Sequence, residues 1–92
     1  DAIPAGAVLL DVREPAEVER GMIPGSINIP LGQLRQRLGE LDKAKPVVAT
    51  CQVGLRGYLA ERILRQNGFE AANLSGGYLT WTYFNSNNTL FI

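Results

Sequence analysis

Short uncharged runs rich in β-branched residues alternate along this chain with stretches whose apolar positions recur every three or four residues. Val8-Leu9-Leu10-Asp11 predicts a buried strand ending in a carboxylate. Pro15 occupies a first helical position, Ala16 to Arg20 make one or two turns, and Gly21 stops them. Ile23-Pro24-Gly25 is a turn signal. Ser26-Ile27-Asn28-Ile29 alternates polar and apolar as a second strand would, and Pro30 ends it. Leu31, Leu34, Leu38 and Leu41 then share one helix face, with Gln33, Arg35, Gln36 and Arg37 on its polar side.

Beyond a charged loop from Asp42 to Pro46, Val47-Val48-Ala49-Thr50 is the clearest buried strand, and Cys51 follows it directly. Tyr58 to Asn67 predicts a helix with Leu59, Ala60, Ile63 and Leu64 inward and Gly68 as its left-handed stop. Glu70 to Leu74 predicts a last strand. Ser75-Gly76-Gly77 turns the chain into a final helix over Tyr78 to Tyr83, and Thr89 to Ile92 is a short apolar end. Strand and helix alternate, and the strands carry almost no charge. The expected fold class is therefore α/β, a small open parallel sheet flanked by helices on both faces. The 92 residues contain no linker and no internal repeat, so they form a single domain, 1–92. That domain is small enough to bury only about 60–65% of its unfolded surface. Asp1 lies a few residues before the first strand, which predicts a piece excised from a longer chain.

Composition narrows the function. Nine basic and nine acidic residues leave no net charge, which argues against general nucleic-acid binding. No apolar run approaches the roughly 18–20 residues needed to span a bilayer, so no membrane role is expected. The chain has no histidine, which excludes Ser-His-Asp and Cys-His catalysis and any His-ligated metal. Cys51 is the single cysteine, so an internal disulfide is impossible, no metal site is expected, and a reducing, cytoplasmic compartment fits. Charge is uneven: residues 1–19 hold five acids and one base, residues 20–65 eight bases and three acids, and residues 71–92 none.

A lone cysteine is more often a small buried hydrophobe than a nucleophile, but the surroundings of Cys51 point the other way. It stands at the carboxyl end of a predicted parallel strand, the edge where open α/β sheets bind ligands. Cys51-Gln52-Val53-Gly54-Leu55-Arg56 must curl from strand to helix within a few residues, and Gly54 permits the backbone this requires. Such a loop turns successive N–H groups inward as an anion nest, the helix adds the positive end of its dipole, and Arg56 adds a full charge. All three favour thiolate over thiol, so a nucleophile here needs no histidine base.

Four motifs in order carry a family resemblance. They are Leu10-Asp11-Val12-Arg13-Glu14, then Gly21-Met22-Ile23-Pro24-Gly25-Ser26-Ile27-Asn28-Ile29-Pro30, then the Cys51 to Arg56 loop, and last Asn73-Leu74-Ser75-Gly76-Gly77-Tyr78 with Trp81. From Val8 to Trp81 the chain resembles a rhodanese (sulfurtransferase) domain. Cys51 to Ala60 looks most like the rhodanese domains fused to the carboxyl side of flavin-dependent coenzyme A-disulfide or persulfide reductases.

The resemblance implies a sulfurtransferase in which Cys51 takes the outer sulfur of a small donor as a persulfide and a thiol acceptor removes it. The amides of Gln52, Val53, Gly54, Leu55 and Arg56 would hold that persulfide, and Gly57 would begin the helix behind it. Asp11 and Arg13 match the family's Asp-x-Arg and take a supporting place beside the site. Gly76, Gly77 and Trp81 match its closing turn and packing aromatic. The domain itself implies no cofactor, whereas a fused flavoprotein reductase partner would bring FAD, NAD(P)H and coenzyme A. Met22 stands where the family usually has histidine, and Gln52 and Val53 replace basic residues common in thiosulfate-using rhodaneses. Position 22 is not the sulfur carrier, so the first departure leaves activity possible, while the less basic loop at Gln52 and Val53 points to polysulfide or a low-molecular-weight persulfide as donor.

The remaining charges have plainer readings. Asp11 with Arg13 is expected as a structural ion pair, and Glu14, Glu17 and Glu19 as the solvated side of a short helix. Arg35, Arg37, Lys43 and Lys45 are surface residues that could also dock an anionic cofactor tail. Tyr78, Trp81, Tyr83 and Phe84 are packing aromatics. Two alternatives stand beside sulfur transfer. One is a non-catalytic docking module on the same scaffold. The other is a Cys-loop phosphatase or arsenate reductase, but those loops place five residues between Cys and Arg, and here Gln52 to Leu55 is four.

Overall fold

The computed structural model describes residues 6–74. The predicted final helix, Gly76, Gly77, Trp81 and the apolar end at 89–92 lie outside the described residues. The elements run β1 (Val8–Asp11), α1 (Pro15–Val18), β2 (Ile27–Asn28), two 3-10 segments (Leu31–Gln33 and Arg35–Glu40), β3 (Val47–Thr50), α2 (Leu55–Gln66) and β4 (Ala71–Asn73). The strands form one four-stranded sheet in the order β2-β1-β3-β4, and every pairing is parallel. All four residues of β3 are buried. Side chains alternate between faces along a strand, so both faces of the sheet centre are covered.

The strands pair where the uncharged runs lie. Val8 to Asp11 matches Val47 to Thr50 residue for residue, which sets the ends of β1 and β3 level. The core gathers Leu10, Val12, Ile29, Leu34, Val47, Ala49, Ala60, Leu64 and Phe69 around this pair. β2 is shorter than the alternating pattern predicts. Ser26 donates its N–H back to the Ile23 carbonyl in a turn, which leaves only Ile27 and Asn28 to pair with β1.

The predicted helix over Leu31 to Leu41 is instead a succession of 3-10 turns. Gly32 and Gly39 weaken an α-helix from within. The backbone closes with shorter loops, Gln33 N–H to Pro30 O at 2.9 Å and Leu41 N–H to Leu38 O at 3.1 Å. The apolar spacing still does its work, because Leu34 and Leu41 reach the core and Leu31 and Leu38 pack against it.

α2 starts at Leu55, three residues earlier than its apolar periodicity suggests, because the Cys51 loop turns directly into it. Its end is a Schellman motif. Phe69 N–H bonds Leu64 O at 3.0 Å and Gly68 N–H bonds Arg65 O at 3.2 Å, with Gly68 at φ +87°. Phe69 folds back into the core beyond it. Ala60, Ile63 and Leu64 face inward as expected, but Leu59 is 41% exposed. It falls on the flank of the helix where the 3-10 segments leave a groove rather than a tight contact.

Leu64 is fully buried and ties α2 to the sheet. Leu64→Ala is expected to destabilise the fold by about 2–5 kcal/mol, read as a lower denaturation midpoint with an unchanged denaturant slope.

Candidate active site

The chain passes from β1 to β2 on one side, then crosses over β1 to place β3 on the other. This reversal creates a switch point between the carboxyl ends of β1 and β3, where open α/β sheets form their crevices. Two segments leave from that point side by side, Val12-Arg13 from β1 and Cys51-Gln52 from β3, with Asp11 and Thr50 in register beneath them.

Arg13 joins the two. Its guanidinium takes both oxygens of Asp11, Nε to Oδ1 at 3.0 Å and Nη2 to Oδ2 at 2.8 Å. It also donates to the Gly21 carbonyl at 2.7 Å and, through Nη1, to Gln52 Oε1 at 3.2 Å. The Arg13 side chain is 2% exposed and that of Asp11 is wholly buried. Asn28 completes the strand end by donating to the carbonyls of Asp11 at 2.8 Å and Arg13 at 3.0 Å. The expected structural pair is thus present, and it reaches into the cysteine loop through Gln52.

Cys51 is 1% exposed and lies against the core. One main-chain donor is aimed at it: Gly54 N–H meets Sγ at 3.0 Å. Gly54 holds φ +110°, a region that side chains rarely enter, and this lets the loop fold its amide back onto the sulfur. α2 begins immediately afterwards with no side-chain cap and no acidic residue in its first turn. The first-turn amides of Leu55, Arg56 and Gly57 have no partner within the helix, and the positive end of the helix lies beside Cys51.

The other predicted loop residues divide. Gln52 turns its side chain toward Arg13. Val53 and Leu55 are about two-thirds exposed and form an apolar rim. Arg56 is already engaged, with Nη1 on Glu17 Oε1 at 2.6 Å and Nη2 on Oε2 at 2.8 Å. It is held protonated more firmly than a free arginine, first by those bonds, then by the charges of Glu17, Cys51 and Glu14, with burial opposing. Glu17 is therefore not a freely solvated carboxylate as its helix pattern suggested. The Arg56 bond, then the Glu14 N–H at 2.9 Å, hold its carboxyl down from 4.5 to about 2. Asp11 and Arg13 meet the loop through Gln52, whereas Gly57 packs in α2 against Asn73 and the Ala49 carbonyl, apart from that pair.

Two residues escaped sequence reasoning. Glu17 and Arg56 are 39 positions apart, and nothing in either local pattern pairs them. Asn73, at the end of β4, donates to the Gly54 carbonyl at 3.0 Å from 19 positions away. The sequence marked it only as the first residue of the Asn73 to Tyr78 motif, with no role attached.

Arg13→Ala strips the partner from the buried Asp11 carboxylate, and a loss of about 3–5 kcal/mol is expected in denaturant titration. Glu17→Gln tests the tie between α1 and α2. Both side chains are about one-third exposed, and water screening reduces the pair to about 1 kcal/mol. The folded-state value of Glu17 lies below its ordinary one, so its contribution is complete above pH 4.5 and is lost as pH falls through about 2. The stability gap between wild type and Glu17→Gln should be widest near neutrality and close toward pH 2.

Comparison with known proteins agrees with this geometry. The family model for the rhodanese-like domain matches residues 1–83. YqhL of Bacillus subtilis, an uncharacterized protein, is 50% identical over 76 residues, covering 82% of this chain and 60% of that protein. The putative sulfurtransferase YtwF of Bacillus subtilis is 38% identical over 73 residues, covering 79% of this chain and 71% of its own length. Reduced CoADR-RHD of Bacillus anthracis superposes with TM-score 0.77 and 52% identity, over 79% of this chain but 13% of that one. An NAD-dependent persulfide reductase from A. fulgidus gives TM-score 0.75 and 40% identity, over 87% of this chain and 15% of that one. The parallel sheet, the cysteine loop at its switch point and these matches place the chain in the rhodanese-like domain family.

Proposed function

We propose that this chain is a sulfurtransferase that carries sulfane sulfur as a persulfide on Cys51. The observation that carries the reading is the Gly54 N–H on Cys51 Sγ at 3.0 Å, in a glycine-turned loop at the uncapped start of α2. The Cys51 thiolate attacks the outer sulfur of a polysulfide or low-molecular-weight persulfide. The donor's S–S bond breaks, its remaining part leaves as a thiolate, and Cys51 holds a terminal anionic sulfur. An acceptor thiolate then attacks that sulfur and releases the Cys51 thiolate, so no external oxidant or reductant is consumed. The loop amides and the helix dipole stabilise negative charge on either sulfur.

The donor preference follows from the rim. Gln52 is tied to Arg13, Arg56 is neutralised by Glu17, and Val53 and Leu55 are exposed and apolar. A compact dianion such as thiosulfate gains little from such a rim, whereas a monoanionic persulfide with an organic tail gains contact. The likeness to small parts of CoADR-RHD and of a persulfide reductase supports a place beside a reductase domain that supplies or consumes such persulfides. Flavin, NAD(P)H and coenzyme A would then belong to that domain. Among the described residues no helix is long and apolar enough to cross a membrane, and a reducing cytoplasmic setting would keep Cys51 free.

Intact-mass analysis after polysulfide treatment tests the reading. Wild type should gain one sulfur atom and lose it to an added thiol, while Cys51→Ser should gain none. Absence of uptake by wild type, or hydrolysis of an aryl phosphate in its place, overturns sulfur transfer.

A further inference from the structure

The structure assigns Asn73 a positioning role: it aims the Gly54–Leu55 peptide, and with it the second amide of the cradle beside Cys51. The inference rests on the reading of Cys51 as sulfur carrier and adds a residue from another strand to that site. Asn73 Nδ2 donates to the Gly54 carbonyl at 3.0 Å, and Tyr58 N–H donates to the same oxygen at 3.0 Å. With two donors on its oxygen, this peptide plane cannot turn freely. Across a trans peptide the carbonyl and the next N–H point in opposite directions. Holding Gly54 O toward Asn73 and α2 therefore directs Leu55 N–H out of the start of the helix. It follows directly on the Gly54 N–H that meets Sγ at 3.0 Å, and successive amides around a left-handed glycine form an anion-binding concavity.

The position of Asn73 is itself tightly set. It pairs in register with Ala49 of β3, and Leu74 N–H bonds Ala49 O at 2.8 Å. Gly57, one turn into α2, rests on the Asn73 side chain. A Cβ there would collide with Asn73 Oδ1 and would approach the Ala49 carbonyl to 3.4 Å. Asn73 Oδ1 is buried with no hydrogen-bond partner. Filling this space alone would suit an apolar side chain better, because an unmatched buried acceptor is costly. Reversing the amide would set two carbonyl oxygens against each other. What Asn73 provides that an apolar residue lacks is its donor to Gly54.

The test uses Asn73→Leu, which keeps the bulk and removes the donor, and Gly57→Ala, which displaces the Asn73 side chain from the opposite side. Each variant is melted, alkylated at Cys51 with iodoacetamide across a pH series, and loaded with polysulfide under single-turnover conditions. The expected result is a folded protein whose Cys51 alkylation profile shifts to higher pH and whose sulfur loading slows by about tenfold. An alkylation profile superimposable on wild type in Asn73→Leu overturns the inference. So does a loss of rate that only follows a loss of folded protein in both variants. Alkylation requires no sulfur donor, so the outcomes separate. If wild type takes up no sulfur while Asn73→Leu still shifts the profile, the sulfurtransferase reading fails and the positioning role stands.

Discussion

The buried Arg13 guanidinium is the contact on which the site depends. It satisfies the Asp11 carboxylate, takes the Gly21 carbonyl, and reaches Gln52 in the cysteine loop. The ends of β1 and β3 are therefore joined by side chains as well as by strand pairing. A buried ion pair adds little net stability by itself. Its value here is geometric, because removing either partner would leave a charge without solvent at the point where the loop departs. Asn28 extends the same logic to β2 by holding the carbonyls of Asp11 and Arg13.

The cysteine loop is assembled from three directions. β3 delivers Cys51, β1 holds Gln52 through Arg13, and β4 holds Gly54 through Asn73. α1 then secures the helix behind the loop through Glu17 and Arg56. None of these ties comes from the loop itself, which is only a few residues long and contains a left-handed glycine. A loop so restrained presents its amides in a fixed arrangement, as the proposed sulfur-carrier role requires. Cys51 itself is almost fully buried at the edge of the apolar core, with the Gly54 N–H on its sulfur.

Much of this was legible in the chain. Val47 to Thr50 read as a buried strand because it is short, uncharged and β-branched, and such a run survives in almost any packed sheet. Cys51, Gly54 and the helix after them read as a site because strand, glycine and helix start are local features. The pattern failed where a competing local force was stronger. Leu31 to Leu41 carries a helical apolar face, yet Gly32 and Gly39 weaken an α-helix there, and the segment forms 3-10 turns while keeping Leu34 and Leu41 in the core. Leu59 had the spacing of a core residue but lies beside a groove, and spacing alone cannot tell whether a neighbour fills the space opposite.

The sequence by itself determined the parallel α/β class, the place of Cys51 at a strand end and the glycine that turns its loop. These follow from patterns within a few residues, where backbone geometry and periodicity are decisive. Only the tertiary structure decided that Arg56 is spent on Glu17, that Gln52 answers to Arg13, and that Asn73 sets the Gly54 peptide. Each joins residues 19 to 39 positions apart. Their meeting depends on the order β2-β1-β3-β4 and on its register, which no local propensity encodes.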